Sequence, residues 1–463
     1  MKVKSLKLIK SPIPNLQSQN VAFLWDESFL WGLMAYKALK ANGLPFELIR
    51  AEDIKKGCLK NYAMLFVPGG WASNKLKPLG DKGINEIKKF VRNGGNYLGF
   101  CGGAGLATLD GIGLLNVKRK PTKERVPSFS GRIHLNINKH PIWKGMASAD
   151  CGLRNQIPNS EFRIPNSEFI FHAWWPSQFL IEDSSLEILA TYGDALPDSF
   201  SSDLNVGDVE TNNNWTELEE IYGINLDPKR LKNEPAVIEG TFGKGRVILS
   251  LIHFDTPDDE NGAKVLRNLW KYLNTGFRIQ DSGFRIQNKK NHASCIMHHA
   301  SEDPKLIIEL ETAVNDLISL GIRNFLWFWR NPVLLQWRRG VRGLEYCTLY
   351  IMINEIAGIL KMHDAGCMIQ DIEKDLRKIR GMLLPFTEKT TQLLILERHA
   401  IQNGHITPLS PPLLRGGWGG YDPAIQKIRI ELFGDSKSHG GLFKKLIDET
   451  DKLLFALIKM QAI

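Results

Sequence analysis

The chain has 463 residues, of which 43% are apolar and 24% are charged, and its formal net charge at pH 7 is +9. The apolar and charged fractions are ordinary for a globular protein and exclude disorder on a large scale, and the length predicts two or three domains. The cysteines show no Cys-x-x-Cys spacing, which argues against a zinc ribbon and a disulfide framework and favours a reducing compartment. They are Cys58, Cys101, Cys151, Cys295, Cys347 and Cys367.

The positive charge is mostly spread along the chain, and the two noticeable basic runs lie at residues 2–10 and 118–125. Neither run is interleaved with aromatic residues, so we interpret both as solvated faces, with a polyanion site as the alternative, and nucleic acid is not expected as a partner. The N-terminus lacks the apolar run of a signal peptide, and no segment reaches the ~20 apolar residues of a membrane span. We therefore expect a cytoplasmic protein without membrane contact.

Residues 20–110 alternate between strand-like apolar runs and segments with helical spacing. This alternation predicts a parallel sheet whose strands are connected by crossover helices. The predicted helices cover residues 28–42 and 82–92. The predicted strands cover residues 21–25, 46–49, 63–67 and 97–100.

Further strands are predicted at residues 132–137 and 186–191, and a hairpin at 236–241 and 246–251 around a Gly-Lys-Gly turn. A helix at 261–273 would end this first domain, which we place at residues 1–275. Two short tandem repeats, at 157–169 and 276–287, have the character of insertions in tolerant loops. We interpret residues 276–303 as an interdomain linker.

From Pro304 onward, the apolar residues recur at three- and four-residue spacing. This pattern predicts an all-α helical domain at residues 304–463. Its function is not readable from the sequence, and we expect it to carry any contact with a protein partner. The predicted helices cover residues 304–320, 344–362, 372–382, 388–402, 423–433 and 441–460.

The strand at 97–100 leads directly into Cys101, Gly102 and Gly103, which are followed by a helix. A sharp strand-to-helix turn needs small residues beside the nucleophile, and Gly99 and Gly103 supply them. The thiol would lie at the helix N-terminus, where free N–H groups favour a thiolate. We therefore interpret Cys101 as a nucleophile on an elbow, with a buried, merely packed cysteine as the alternative.

A second glycine turn, Pro68-Gly69-Gly70-Trp71, ends the preceding strand. In a parallel sheet this loop lies beside the elbow, so its N–H groups, together with those of Gly102 and Gly103, could hold the oxyanion of a tetrahedral intermediate. We predict Gly69, Gly70, Gly102 and Gly103 as the oxyanion and substrate-binding residues.

His253 closes the strand at 246–251, and Asp255 follows two positions later. Because the ends of parallel strands gather at one edge of a sheet, His253 can meet Cys101 there. The carboxylate of Asp255 would then fix the tautomer of the imidazole ring. The sequence thus predicts a Cys-His-Asp triad.

Residues 60–115 and 235–274 resemble the N-terminal domain of some biotin-protein ligases, a domain similar to class I glutamine amidotransferases. The resemblance implies a flavodoxin-like parallel sheet, with Cys101 as nucleophile, His253 as base and Asp255 as orienting acid. The family usually has Glu at the acid position and Pro before the His, where this chain has Asp255 and Ile252. The matching motifs are Phe66-Val-Pro-Gly-Gly70, Tyr97-Leu-Gly-Phe-Cys-Gly-Gly-Ala-Gly105, His140-Pro141-Ile142 and the run from Val237 to Ser250.

Nothing in the sequence resembles the ligase domain of that family, and it has no P-loop or other nucleotide signature. We predict a cysteine-dependent amidase or hydrolase that acts on a small amide or metabolite, without a cofactor or metal. The alternative is a non-catalytic module that binds a small molecule or a partner protein on an amidotransferase-like scaffold.

Other polar residues are weaker candidates for a site. Asp26 and Glu27 end the first strand and could hydrogen-bond the Cys101 thiol, with an ordinary helix cap as the alternative. His172 could line the pocket together with Trp174 and Trp175, although a packed aromatic cluster is the better interpretation. The His298-His299 pair does not favour a metal site, because adjacent residues on a strand point apart, and we interpret His363-Asp364 near Cys367 as a helix terminus rather than a site.

Overall fold

The computed structural model describes residues 21–146, 169–212, 214–274, 303–362, 370–403, 423–435 and 439–461. The predicted linker at 276–303 lies outside these ranges except for residue 303, and so do most of the two tandem repeats. The His298-His299 and His363-Asp364 pairs also lie outside them.

The strands alternate with helices through the first part of the chain, as the sequence predicts. In chain order the described strands are β1 (Val21–Leu24), β2 (Glu47–Ile49), β3 (Met64–Val67), β4 (Asn96–Phe100), β5 (Val117–Arg119), β6 (Phe129–Ile137), β7 (Ile170–Trp174), β8 (Phe179–Ile181), β9 (Glu187–Ala195), β10 (Phe200–Ser201), β11 (Leu204–Asn205), β12 (Pro235–Phe242), β13 (Gly245–Ser250), β14 (Trp327–Asn331) and β15 (Leu334–Trp337).

The helices occupy the connections of the sheet and most of the C-terminal region. They are α1 (Phe29–Ala41), α2 (Ala51–Lys55), α3 (Ala72–Arg92), α4 (Gly102–Ala107), α5 (Val206–Asn212), α6 (Trp215–Tyr222), α7 (Glu260–Asn274), α8 (Asp303–Arg323), α9 (Gly343–Met362), α10 (Gln370–Gln402), α11 (Pro423–Phe433) and α12 (Gly441–Gln461).

The large sheet has a parallel half, in which the strand order is β2-β1-β3-β4-β13. All residues of β1 and β3 are buried. Continuous apolar strands of this kind form where helices cover both faces of a parallel sheet. The carboxyl ends of β1, β3, β4 and β13 therefore lie along one edge.

The other half of the sheet is antiparallel, with the order β13-β12-β9-β6-β10-β11 and with β7 paired to β6. The predicted hairpin is confirmed, because β12 pairs antiparallel with β13. This hairpin reverses the chain direction at the edge of the parallel half. The parallel sheet predicted for residues 20–110 is confirmed for β1 to β4, and β13 continues it, whereas the sheet then extends through antiparallel strands from β12 onward.

The sequence analysis predicted an all-α C-terminal region, and this prediction is wrong, because the region also contains a β-hairpin. The strands β14 and β15 form a hairpin, with Trp327 opposite Trp337. The prediction also split α10 in two around residues 383–387. Leu383 and Phe386 in that interval are buried, so the apolar face of α10 continues through residues 383–387. The structure accordingly has one continuous helix, Gln370–Gln402.

The C-terminal helices pack against the first part of the chain, and the buried apolar residues of both parts form one continuous cluster. Trp25, at the end of β1, donates its indole N–H to Asp451 of α12 at 2.7 Å. Lys37 of α1 pairs with Glu355 of α9 at 2.5 Å. The predicted domain boundary near residue 275 remains a prediction.

Within the described ranges, no helix has both the length and the apolar character that a bilayer crossing requires.

Candidate active site

Cys101 lies between β4 and α4 with backbone angles φ 46° and ψ −102°. A non-glycine residue rarely adopts this conformation, which costs on the order of 1–3 kcal/mol and is found mainly at functional sites. Hydrogen bonds on both sides hold the turn. The Cys101 N–H donates to the Ser250 carbonyl at 2.7 Å, and the Gly105 N–H donates to the Cys101 carbonyl at 2.9 Å.

The elbow packs directly against the loop that follows β3. A Cβ atom on Gly102 would overlap the carbonyl oxygen of Gly70, and one on Gly103 would overlap that of Val67. Gly70 itself has φ +111°, a conformation that side chains disfavour. The structure thus brings Gly70, Gly102 and Gly103 together beside Cys101, and this close approach requires glycine on the elbow.

His253 and Asp255 form a buried pair at the end of β13. The distance from His253 Nδ1 to Asp255 Oδ1 is 2.9 Å, and both side chains are 0% exposed. The His253 backbone is held by β7, because the His253 N–H donates to the His172 carbonyl at 2.9 Å. Parallel pairing of β13 with β4, with Ser250 opposite Phe100, places the pair at the same edge as Cys101.

The electrostatics of His253 favour its protonated form. Burial lowers the pKa of His253, but the carboxylate of Asp255 and then the nearby sulfur of Cys101 outweigh burial and raise it to about 10. Nε2 has no hydrogen-bond partner among the described residues. The interaction with the Cys101 sulfur is one of the causes that raise the pKa of the ring.

Aromatic side chains enclose the imidazole. Gly69 packs against the ring, because a Cβ atom there would lie 3.1 Å from His253 Cε1. The Trp31 ring lies 5.0 Å from that of His253, and Trp175 lies 6.0 Å from Trp31. Trp337 of β15 stacks on Trp175 at 5.0 Å. The C-terminal hairpin therefore covers the aromatic wall of the site.

His172 and Trp174 belong to a packed cluster, which agrees with the favoured sequence interpretation. Their rings stack at 5.3 Å, and His172 Nδ1 lies 2.8 Å from Asp259 Oδ2. The indole N–H of Trp174 donates to Thr256 Oγ1 at 3.0 Å. The carbonyl of Trp174 lies 4.0 Å from Cys101 Sγ and accepts its weak hydrogen bond.

Asp26 and Glu27, the predicted auxiliary residues, are engaged by other groups. Asp26 Oδ2 accepts the Ala51 N–H at 2.7 Å, so Asp26 caps α2 rather than the helix that directly follows it. Glu27 Oε1 pairs with Lys444 of α12 at 3.0 Å. Burial raises the pKa of Asp26.

Lys75 is a site residue that the sequence analysis did not identify. Its side chain is buried, and its ammonium group donates to the Asp26 carbonyl at 3.0 Å and to Ser28 Oγ. Burial lowers the pKa of Lys75 to about 7, although the charges of Asp26, Glu27, Asp451 and Cys101 oppose this. No sequence signal marks Lys75, because lysines in helices are mostly solvated.

The described residues that come closest to a metal-ligand set are His140, Glu187 and Glu239, whose ligand atoms lie within 4.8 Å of one another. His140 Nε2 lies 3.0 Å from Glu239 Oε2, and Arg246 Nη1 lies 3.1 Å from Glu239 Oε1. Burial alone would raise the pKa of Glu239, but the hydrogen bonds and charges of His140 and Arg246 lower it overall. The carboxylate thus already has hydrogen-bond partners on both oxygens, and we assign no metal here.

Residues 48–110 match the protein family described as biotin-protein ligase, N terminal. This match confirms, over that segment, the family resemblance inferred from the sequence. No curated protein matches the chain.

Solved structures show weaker similarity. PurLQS from Thermotoga maritima is 15% identical to this chain, with a TM-score of 0.34. The match covers 55% of this chain and 99% of PurLQS. A protein from Thermoplasma acidophilum described as a GMP synthase subunit is 12% identical over 55% of this chain and 94% of its own, also with a TM-score of 0.34. Similarity at this level does not bear on activity.

Because the elbow packs closely against the loop after β3, a methyl group added at Gly103 should destabilise the fold. Gly103→Ala would force the Val67 carbonyl aside and lower the free energy of unfolding by about 2 kcal/mol or more. Gly381→Ala is the matched control, because the space around this exposed glycine of α10 is open, and it should gain about 0.5–1 kcal/mol. Urea unfolding followed by circular dichroism measures both. Equal effects in the two variants would contradict the packing described here.

The depressed pKa of Lys75 predicts a pH dependence of stability. Between about pH 7 and its ordinary value of 10.5, the unfolded chain binds the proton that the folded chain has lost. Wild-type stability therefore rises with pH in this window, by about 1 kcal/mol per pH unit relative to Lys75→Met, which lacks the group. Urea unfolding at several pH values measures the difference. Lys82→Met, an exposed change on the same helix, should parallel the wild type, and parallel curves for Lys75→Met would refute the assignment.

Proposed function

We propose, from the family match of residues 48–110 and from the geometry of the elbow, that this protein is a cysteine-dependent amidase or hydrolase acting on a small amide or a related acyl compound. The observation that carries the proposal is the buried His253–Asp255 pair at 2.9 Å, whose imidazole ring interacts with the sulfur of Cys101. A nucleophile, a base and an orienting acid in series form the arrangement that acyl transfer through cysteine requires.

In the proposed reaction, the Cys101 thiolate attacks the substrate carbonyl carbon. The N–H groups of Gly70 and Gly102 stabilise the resulting oxyanion, with Gly69 and Gly103 completing the cradle. When the tetrahedral intermediate collapses, the C–N bond breaks and the leaving amine takes a proton from His253. Water then attacks the thioester, its proton passes to His253, and the carboxylic acid leaves with Cys101 regenerated as thiolate.

Asp255 fills the acid position with a side chain one methylene shorter than the family's glutamate. Its carboxylate nevertheless lies 2.9 Å from Nδ1 of His253 and is shielded from water. In such an environment a hydrogen bond to a charged ring is strong. The shorter acid is therefore compatible with an oriented, protonated imidazole.

The strand order also supports the proposal. The order β2-β1-β3-β4-β13 corresponds to the 2-1-3-4-5 order of flavodoxin-like sheets, in which ligands bind beyond the carboxyl ends of the strands. Cys101 and His253 follow the carboxyl ends of β4 and β13. We therefore propose a flavodoxin-like core extended by the antiparallel strands, in a protein of the reducing cytoplasm.

The alternative is a non-catalytic module that binds a small molecule or a protein partner. The Trp31 ring covers His253, which is fully buried. This enclosure favours the non-catalytic module, because a substrate would have to reach the sulfur past the aromatic side chains. If ammonia is released and transferred, we propose that its acceptor is a separate synthetase, because we find no ligase-like sequence in this chain. Thiol reactivity separates the two proposals.

A reactive nucleophile predicts selective alkylation. At pH 6–7, iodoacetamide should label Cys101 much faster than the buried Cys347 or the half-buried Cys58, because only Cys101 has a protonated imidazole beside it. Peptide mass spectrometry over time measures the rate at each cysteine. Asp255→Asn should slow labelling of Cys101 and leave Cys58 unchanged. Uniform slow labelling would favour the binding module.

The reaction class is tested by ammonia release from glutamine. Cys101→Ala should abolish release, and Asp255→Asn should lower kcat by about 10²-fold or more, because the ring loses its orienting charge. Cys58→Ala is the matched control and should retain wild-type release. Activity that survives Cys101→Ala would exclude this residue as the nucleophile.

A further inference from the structure

The proposed reaction does not use the basic run at residues 118–125. Within this run, Lys120 pairs with Glu234 at 2.7 Å. Arg119 and Arg125 are half-buried, whereas arginine side chains at a protein surface are mostly exposed. The environments of these two arginines therefore indicate a role beyond that of a solvated face.

Arg119 lies against the turn that contains Cys101. A Cβ atom on Gly105 would lie 3.1 Å from Arg119 Nη1, and the Gly105 N–H donates to the Cys101 carbonyl at 2.9 Å. Asp110 Oδ2 lies 3.6 Å from Arg119 Nε and accepts the Arg119 backbone N–H at 3.3 Å. Nε itself is buried and has no hydrogen-bond partner among the described residues.

Arg125 is held by the segment that follows β7. Its Nη1 donates to Ser177 Oγ at 2.6 Å, and its Nη2 donates to Thr122 Oγ1 at 3.4 Å. Ser177 follows Trp174 by three residues, and the Trp174 carbonyl lies 4.0 Å from Cys101 Sγ. In the part of the chain that the structure describes, the buried Nε of Arg125 also lacks a hydrogen-bond partner.

The charges that act on Arg125 are those of Arg119 and Cys101. Burial lowers the pKa of Arg125, the charge of Arg119 lowers it further, and the charge of Cys101 opposes both effects. An arginine nevertheless remains protonated in proteins. Two positive guanidinium groups therefore lie within electrostatic range of each other and of the sulfur, and a bound anion would relieve their repulsion.

Tyr192 adds a third polar group to the same neighbourhood. Its side chain is fully buried, and its hydroxyl has no hydrogen-bond partner among the residues described. Burial raises the pKa of Tyr192 well above its ordinary value, and the charges of Cys101 and Glu234 raise it further. The hydroxyl therefore keeps its proton and can donate. Like the two Nε–H groups, it calls for an acceptor.

We propose that Arg119 and Arg125 bind a carboxylate of the small ligand whose other end lies at Cys101. Guanidinium groups bind carboxylates through paired N–H donors, and a carboxylate only accepts. Asp110 offsets one of the two positive charges, so the remaining charge matches a singly charged carboxylate better than a doubly charged phosphate. The inference rests on the proposed function in one respect: the amide or acyl compound that Cys101 attacks then carries a carboxylate.

Access to these residues does not depend on an enclosed cavity. Cys101, Arg119 and Arg125 are half-buried rather than fully buried, and the side chain of Arg119 is 32% exposed. A small ligand can therefore approach all three from solvent. The two arginines would orient the ligand and select it by charge, and they take no part in proton transfer.

The first test compares the alkylation of Cys101 by iodoacetate, which carries a carboxylate, and by iodoacetamide, which is neutral and of similar size. Arg125→Gln and Arg119→Gln should each lower the ratio of the iodoacetate rate to the iodoacetamide rate by about tenfold, because local positive charge concentrates the anionic reagent. The ratio cancels any change in the thiolate fraction, since both reagents react with the thiolate. Peptide mass spectrometry over time measures both rates.

Lys118→Gln is the matched control, because it removes the same charge from an exposed position of the same run. It should leave the rate ratio at Cys101 unchanged. An unchanged ratio in both arginine variants, or an equal decrease in Lys118→Gln, would overturn the proposal. If circular dichroism shows that Arg125→Gln does not fold, Arg119→Gln gives the deciding ratio.

A second measurement does not need the thiol and so separates failure of this proposal from failure of the proposed function. In Cys101→Ala, calorimetric titration with sodium glutaramate, the monoamide of pentanedioic acid, should show saturable binding. The uncharged pentanediamide should bind at least about tenfold more weakly, and adding Arg125→Gln should remove this preference. Equal binding of the two compounds, or binding of neither, would refute the carboxylate site. Slow reaction of wild-type Cys101 with iodoacetamide would contradict only the proposed function.

Discussion

The candidate active site depends on the close contact between two backbone turns. Gly102 and Gly103 begin α4 so near to the loop after β3 that a single Cβ atom would overlap the carbonyl of Gly70 or Val67. This contact fixes the position of the turn that contains Cys101 relative to the loop after β3. The parallel register of β4 and β13 places His253 at the same edge of the sheet as Cys101.

Buried charges connect this edge of the sheet to the C-terminal helices. Lys75 lies beneath the loop of Gly70 and contacts the segment that contains Asp26. Arg50 pairs with Asp451 of α12 at 2.9 Å, and burial raises the pKa of Asp451 to about 6. Removing one partner of such a buried set leaves an uncompensated charge, so the site and the helices are energetically linked.

The C-terminal region thus contributes to the surroundings of the site itself. Trp337 of the β14–β15 hairpin stacks on the aromatic wall beside His253. Leu344, Thr348 and His439 line a small cavity next to Gly70. These contacts could not be predicted from the sequence, because they join residues far apart along the chain that share no motif.

The sequence by itself determined the parallel strands, the hairpin of β12 and β13, and the elbow at Cys101, because apolar periodicity and glycine spacing are local properties of the chain. It also placed His253 and Asp255 at a strand end. Only the tertiary structure decided that Asp26 caps α2, that Lys75 is buried and that Glu27 faces a cavity. Burial and hydrogen-bond partners depend on which distant elements pack together, and no local pattern records that choice.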